Sequence, residues 1–169
     1  MPVGRSWPLV LADETTVELR PVRSDDAAAL AHGYQQLSAH SAYSRFHTLY
    51  SELSPTQLRY FTELDHHDHE ALGAVLPDTG EGLGIARYVR DTDDPTHAEL
   101  ALTVLDAWQG RGLGRGLLDA LAARAREEGI TCFTADVLSE NRAMLELMRR
   151  AGPVEMERDG DTTIAHLEL

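Results

Sequence analysis

The sequence predicts an α/β fold in which helices pack against a mixed sheet. Three observations lead there. Segments that alternate apolar and polar residues recur along the chain, with helically spaced segments between them. The helical segments carry capping residues at their starts. With 169 residues, 43% of them hydrophobic, the chain fills one core and falls short of two, so a single domain over 1–169 is expected.

The first strand is "TTVELRPV", which alternates and ends near Pro21. "SDDAAALAHGYQQL" follows as a helix, with Ser24 as its cap and Asp25 and Asp26 suited to the positive end of the dipole. "SPTQLRYFTEL" starts a second helix, with Ser54 as cap, Pro55 at the first position and Gln57 completing a capping box. "HEALGAVLP" and "EGLGIARYVRD" read as strands joined at "PDTG". In "HAELALTVLD", Ala98, Leu100, Leu102 and Val104 alternate with His97, Glu99, Ala101 and Thr103, so one face of that strand meets the core. A glycine-rich stretch leads into a helix whose apolar stripe is Leu117, Leu118, Leu121, Ala122 and Ala125. "ITCFTADVL" is the next strand, "SENRAMLELMRRAG" a capped helix ending at Gly152, and "VEMERDGDTTIAHLEL" two strands around "DGD". The order is β-α-α-β-β-β-α-β-α-β-β.

The totals narrow the function. No stretch approaches the length of a membrane span, and the N-terminus lacks the basic-then-apolar pattern of a signal peptide. The one cysteine, Cys132, excludes an internal disulfide and fits a reducing compartment, so a cytoplasmic location is expected. Cys132 sits in an apolar run and reads as a buried strand residue rather than a nucleophile. The net charge is −13, and all 15 basic residues are arginine. Such a surface repels phosphate backbones, so neither nucleic acid nor membrane is expected as a partner, while a basic acceptor such as an amine is electrostatically welcome.

"WQGRGLGRGLLDALAARAREEG", from Trp108 to Gly129, carries Gly110, Gly112, Gly114 and Gly116 at the mouth of a helix. A helix N-terminus presents unpaired N–H groups and the positive end of a dipole, and glycines let phosphate oxygens reach them. A Walker loop is excluded because the chain has no lysine. A dinucleotide fingerprint fails because the third glycine position falls on Arg115 or on Leu117. What remains is Gln109-Gly110-Arg111-Gly112-Leu113-Gly114, the Q/R-x-x-G-x-G/A pattern. It resembles the loop that cradles the pyrophosphate of acetyl-CoA in the GCN5-related N-acetyltransferases (GNAT), and Asn141 falls where that family keeps an asparagine.

The resemblance implies the GNAT fold, with a mixed, mostly antiparallel central sheet. It implies that the backbone of Leu102, Thr103 and Val104 pairs with the pantetheine arm. Amides from Gly110 to Arg115 (Gly110, Arg111, Gly112, Leu113, Gly114 and Arg115, next to Gln109) would hold the pyrophosphate, and Asn141 would steady the cofactor. Beyond the motif, "ELRPV", "YFTELDHHDH", "ARYVRDTDDPTHAELALTV", "WQGRGLG" and "VLSENRAM" resemble the catalytic domain of Pat-type protein lysine acetyltransferases of actinobacteria, over roughly Glu18 to Gly152. That resemblance points to a protein substrate with a reactive lysine, such as an acyl-CoA synthetase or a universal stress protein. Mycobacterial members carry a preceding cyclic-nucleotide-binding domain; with no such segment in these 169 residues, direct cyclic-AMP control is expected to be absent.

A lysine amine, with a pKa near ~10.4, must lose a proton before it attacks a thioester. Glu99 stands on the polar face of its strand and matches the family's catalytic glutamate in "AEL". A backbone N–H near Val104, where strands splay in this family, would stabilise the oxyanion. Many members carry a tyrosine acid after the asparagine, and here that place holds Met148, which cannot donate a proton. "DHHDH", Asp65 to His69, resembles a D-x-x-D-H pattern of the Pat-type domains; neighbouring side chains on an extended run point apart, so a solvated acidic patch or a substrate contact is expected and no metal. Two other functions fit the same residues: acetylation of a small amine such as an aminoglycoside or polyamine, and a non-catalytic acyl-CoA sensor.

Overall fold

A computed structural model describes residues 5–46 and 52–169. The strands are β1 (Trp7–Val10), β2 (Thr16–Pro21), β3 (His69–Val75), β4 (Gly82–Arg90), β5 (His97–Val104), β6 (Cys132–Leu138), β7 (Val154–Asp159) and β8 (Thr162–Glu168). The helices are α1 (Ala27–Gln36), α2 (Ala39–Phe46), α3 (Pro55–Thr62), α4 (Leu113–Glu127) and α5 (Arg142–Ala151). The strands form one sheet in the order β1-β2-β3-β4-β5-β6-β8-β7, antiparallel except between β5 and β6. The mixed, mostly antiparallel sheet flanked by helices is the fold the sequence predicted.

Each expected element is present, and two more join them. β1 is a four-residue edge strand containing Pro8, too short to show a period and able to carry proline because only one of its sides pairs. α2 starts three residues after α1 ends, and the Ser38 hydroxyl caps it by accepting the Ser41 N–H at 3.1 Å. Ser54 and Gln57 exchange the two bonds of the expected capping box, at 3.1 and 2.8 Å. Ser24, in contrast, is not a helix cap. It opens a single 3-10 turn, and α1 begins after Asp26, whose carboxylate accepts the Arg23 N–H at 2.8 Å and both Arg20 guanidinium nitrogens at 2.8 and 2.7 Å.

Two hydrophobic clusters lie on opposite faces of the sheet. On one face Leu113, Leu117, Leu118 and Leu121 of α4, with Leu145 and Met148 of α5, pack on Leu72, Ala86, Tyr88, Leu100 and Val104. The expected α4 stripe is buried there. On the other, Tyr34, Ala42 and Leu53 anchor a smaller cluster with Leu30, Leu58 and Phe61, which seats α1 and α3. Along β4 and β5, even-numbered side chains therefore face α4, while Ile85, Arg87, Val89, Glu99, Ala101 and Thr103 face the other way.

Candidate active site

The site starts from a place where the sheet stops pairing. β5 runs beside β4 over its whole length, but it pairs with β6 only at His97, Ala98 and Glu99, opposite Cys132, Phe133 and Thr134. The strands part after Glu99 rather than near Val104, which corrects the position expected from the sequence. Leu105 donates to the Leu83 carbonyl at 2.9 Å, so in this ladder the odd-numbered residues of β5 bond to β4. Leu102 and Val104, beyond the last rung, therefore turn their N–H groups toward the gap. Thr103 does not; its backbone belongs to the rung with Ile85.

At the C-terminal end of this open edge the chain makes a short turn (Asp106–Trp108) and enters α4. Gly110 (φ 73°) and Gly112 (φ 90°) both take the left-handed conformation, which brings the chain round to the helix mouth with no side chain in the way. Gly112 is the N-cap of α4, and Gly116 is the first amide to bond back to it, at 3.0 Å. The N–H groups of Leu113, Gly114 and Arg115 are left without a helical acceptor. The Gln109 side chain donates to the Val104 carbonyl at 3.0 Å, tying the loop to the strand.

A groove of about 760 Å³ joins these parts. Of the residues expected to bind the cofactor, it brings together Leu102, Thr103, Val104, Gln109, Gly110, Gly112, Gly114, Arg115 and Asn141. Two fall outside its lining. The Arg111 guanidinium turns to the β1–β2 turn, pairing with Asp13 at 3.0 Å and lying over the Trp108 ring at 4.7 Å. The Leu113 side chain is 1% exposed in the core, which leaves its amide alone to face a ligand. Asn141 has a local task too: its side-chain oxygen accepts the Met144 N–H at 3.2 Å and caps α5.

The sequence reading missed the opposite wall. His40 and Ser41 line the groove from α2, and Arg142 and Arg150 from α5. Ser38 could have signalled the first pair. Its hydroxyl donates to Asp106 at 2.8 Å, holding the start of α2 against the turn that follows β5. Although burial works against it, bonds from Ser38 and Ser41 hold the Asp106 carboxyl below its usual range.

Glu99 is exposed, stands on the face away from α4, and pairs in register with Val89 and Thr134. It does not line the groove, which begins at Leu102, three residues or about 10 Å along the strand. The same register sets Thr134, His166 and Glu155 in a row beside Glu99, and Asp136, Ile164 and Glu157 in the next row on that face. Met148 is wholly buried in the core and is not a groove residue. Cys132 is half-buried, and burial, then Glu168 and Asp94, push its thiol up, away from nucleophilic character.

"DHHDH" forms a hydrogen-bonded turn in which Asp65, His67 and Asp68 are exposed. Asp65 Oδ1 accepts the N–H groups of His67, Asp68 and His69, each at 2.9 Å. Burial opposes these bonds, yet they hold the carboxyl below its usual range. Glu70, 1% exposed, lies 3.3 Å from Arg124 of α4, and Arg124 also donates to the His66 carbonyl at 2.7 Å. His67 and Arg124 both reach Glu128, while Arg90 bonds Asp68 at 2.7 Å. The segment ties β3 and β4 to the end of α4. Among the described residues no three His, Cys, Asp or Glu side chains converge as metal ligands, and no helix is long and apolar enough to cross a membrane.

The site is thus an opened strand edge that leads to a glycine-lined helix mouth. Residues 37–152 match the model of the acetyltransferase (GNAT) family, and the chain belongs to that family. It is 37% identical over 160 residues to the acetyltransferase Pat of Mycolicibacterium smegmatis, covering 89% of this chain and 45% of that protein, so it spans about half of that relative's length. It is 30% identical over 166 residues to an acetyltransferase of Pseudomonas aeruginosa, covering 96% of this chain and 89% of that one. The solved GNAT domain of S. lividans PAT superposes with a TM-score of 0.92 at 35% identity, covering 100% of this chain and 99% of that one. The resemblance to the GNAT family and to Pat is borne out.

Proposed function

We propose that the protein moves an acetyl group from acetyl-CoA to a lysine ε-amine of a protein, with Glu99 as general base. The observation that carries this reading is the parting of β5 from β6 directly after Glu99. It leaves the Leu102 and Val104 amides facing a groove that ends at the α4 amides. The Val104 and Leu102 backbone would pair with the pantetheine arm. The amides of Leu113, Gly114 and Arg115 would meet the pyrophosphate at the positive end of α4, where Arg142 also lines the groove and Arg150 is paired with Glu146 at 2.9 Å.

The cofactor reaches the gap from the α4 side, and Glu99 stands on the other face. An amine entering from that face meets the thioester through the gap. Glu99 takes a proton from the ammonium; its distance along the strand from Leu102 favours a bridging water. The freed nitrogen attacks the thioester carbon, and the Leu102 N–H holds the oxyanion. The C–S bond then breaks, the nitrogen sheds its second proton through water to the departing thiolate (thiol pKa ~8.5), and the amide keeps the acetyl group. No tyrosine acid is required.

A lysine-bearing acceptor suits the face around Glu99. Glu155, Asp136 and Glu157 are exposed there and draw a cation toward Glu99. The test is transfer of labelled acetyl from acetyl-CoA to a lysine peptide, run beside spermidine and an aminoglycoside. Peptide labelling supports the proposal. Labelling of the polyamine or aminoglycoside alone makes the acceptor a small amine, and tight acetyl-CoA binding with no transfer to any of them makes the protein a sensor.

A further inference from the structure

A second cavity, of about 120 Å³, lies between α1 and the sheet on the face opposite α4. Asp26, Leu30, Gly33 and Leu37 turn toward it at helical spacing, and Gly73, Ile85 and Thr103 line it from the sheet. A side chain is missing at the centre of the helix face: a Cβ built on Gly33 meets no atom within 4 Å. Gly73 lines the sheet side, where its own Cβ would meet Val22 at 3.6 Å and the Arg20 and Gly84 carbonyls at 4.0 Å.

We infer that this cavity receives the chain of an acyl-CoA ester longer than acetyl, with about three to five carbons. The inference rests on the coenzyme A reading above and extends it to the donor. Thr103 carries the argument. It lines both the cofactor groove and the cavity, and its side chain lies on the cavity face, while its neighbours Leu102 and Val104 turn their amides to the pantetheine path. An acyl group held there has the cavity within reach.

The lining selects an apolar occupant. Arg20 and Asp26 satisfy each other through two bonds, and Arg87 is held by the Phe61 carbonyl at 3.3 Å and by His69 at 2.9 Å. Those charges are already matched, and aliphatic groups and backbone make up most of the remaining wall. An apolar cavity of about 150 Å³ takes a benzene molecule, so about 120 Å³ suits a short chain and excludes a long one. Each methylene moved from water into such a site raises affinity roughly fourfold.

Titration calorimetry of the full chain with acetyl-, butyryl- and octanoyl-CoA tests this. Butyryl-CoA should bind about tenfold tighter than acetyl-CoA, and octanoyl-CoA should gain nothing over butyryl-CoA. Gly33→Leu, a helix-favouring change that fills the gap, should bring the butyryl-to-acetyl ratio close to one. Equal affinities of acetyl- and butyryl-CoA for the wild type overturn the inference while leaving the coenzyme A site intact, as does a ratio unchanged in a folded Gly33→Leu protein. If no CoA ester binds, the coenzyme A reading falls and takes the acyl cavity with it. The wild-type series decides by itself should the variant misfold.

Discussion

Glu99 and Thr134 are the last pair joined between β5 and β6, and the sheet opens one residue beyond them. The same residue thus ends the parallel pairing and stands at the entrance of the gap. On one side the gap leads to the glycine-lined start of α4; on the other it meets an open, carboxylate-bearing strand face. In the proposed reaction this two-sided arrangement would let donor and acceptor approach without crossing.

The helix mouth gives the first prediction. Gly112 holds φ 90°, where an L side chain costs about 1–2 kcal/mol, and its added Cβ would point into open space rather than into protein. Gly112→Val should leave a folded protein and place a branched side chain where the pyrophosphate approaches. Losing one or two charge-assisted bonds at about 1.5–3 kcal/mol each should weaken acetyl-CoA binding by about ten- to a hundredfold or more. Unchanged affinity by calorimetry in a folded variant places the phosphate elsewhere.

The pair beneath "DHHDH" gives a stability prediction separate from binding. Arg124 and Glu70 are both buried, so Arg124→Met takes the guanidinium from an interior carboxylate that keeps only the His66 ring and the Ala71 N–H at 2.8 and 2.9 Å, a loss of about 3–5 kcal/mol. The melting temperature should drop by about 6–15 °C, while acetyl-CoA affinity well below the transition stays the same, since Arg124 does not line the groove. A melt within a degree of wild type shows that the ion pair is not holding α4 to β3.

His69 makes stability depend on pH. Burial first, and the neighbouring Arg87 second, lower its pKa from 6.5 to about 4. Between these values the unfolded chain binds a proton that the folded chain refuses, so stability is present above pH 6.5 and declines as pH falls toward 4. Allowing for the partly exposed ring, the decline from pH 7 to 5 should be on the order of 1 kcal/mol. Urea melts of wild type and His69→Gln at both pH values check it. The variant should lose less, and equal losses would remove His69 as the cause.

Periodicity and caps made most of the fold legible: β5 and the α4 stripe follow from spacing, and Ser54 with Gln57 from the capping box. β1 escaped because four residues with a proline carry no period, and its pairing with β2 is decided by tertiary contact. The helix mouth was legible because glycine spacing reports backbone conformation. The α2 wall was not, since His40 reaches the groove only through the long-range bond from Ser38 to Asp106. Arg111 and Leu113 sit inside the motif, but a motif does not say where a side chain turns; here one goes to Asp13 and the other to the core. "DHHDH" looked like surface chemistry because its partners, Arg124 and Glu128, lie more than fifty residues away.

The most direct test of the account is the turnover of Glu99→Gln with acetyl-CoA and a lysine peptide, measured from neutral to alkaline pH. Glutamine keeps the size and the strand but cannot take the proton. The account predicts a fall of about two to four orders of magnitude at neutral pH, with acetyl-CoA affinity unchanged. The gap from wild type should narrow as pH rises toward the amine's own pKa of ~10.4, where free amine no longer needs a base. Wild-type turnover by Glu99→Gln at neutral pH would contradict the account and leave Glu99 an ordinary surface carboxylate.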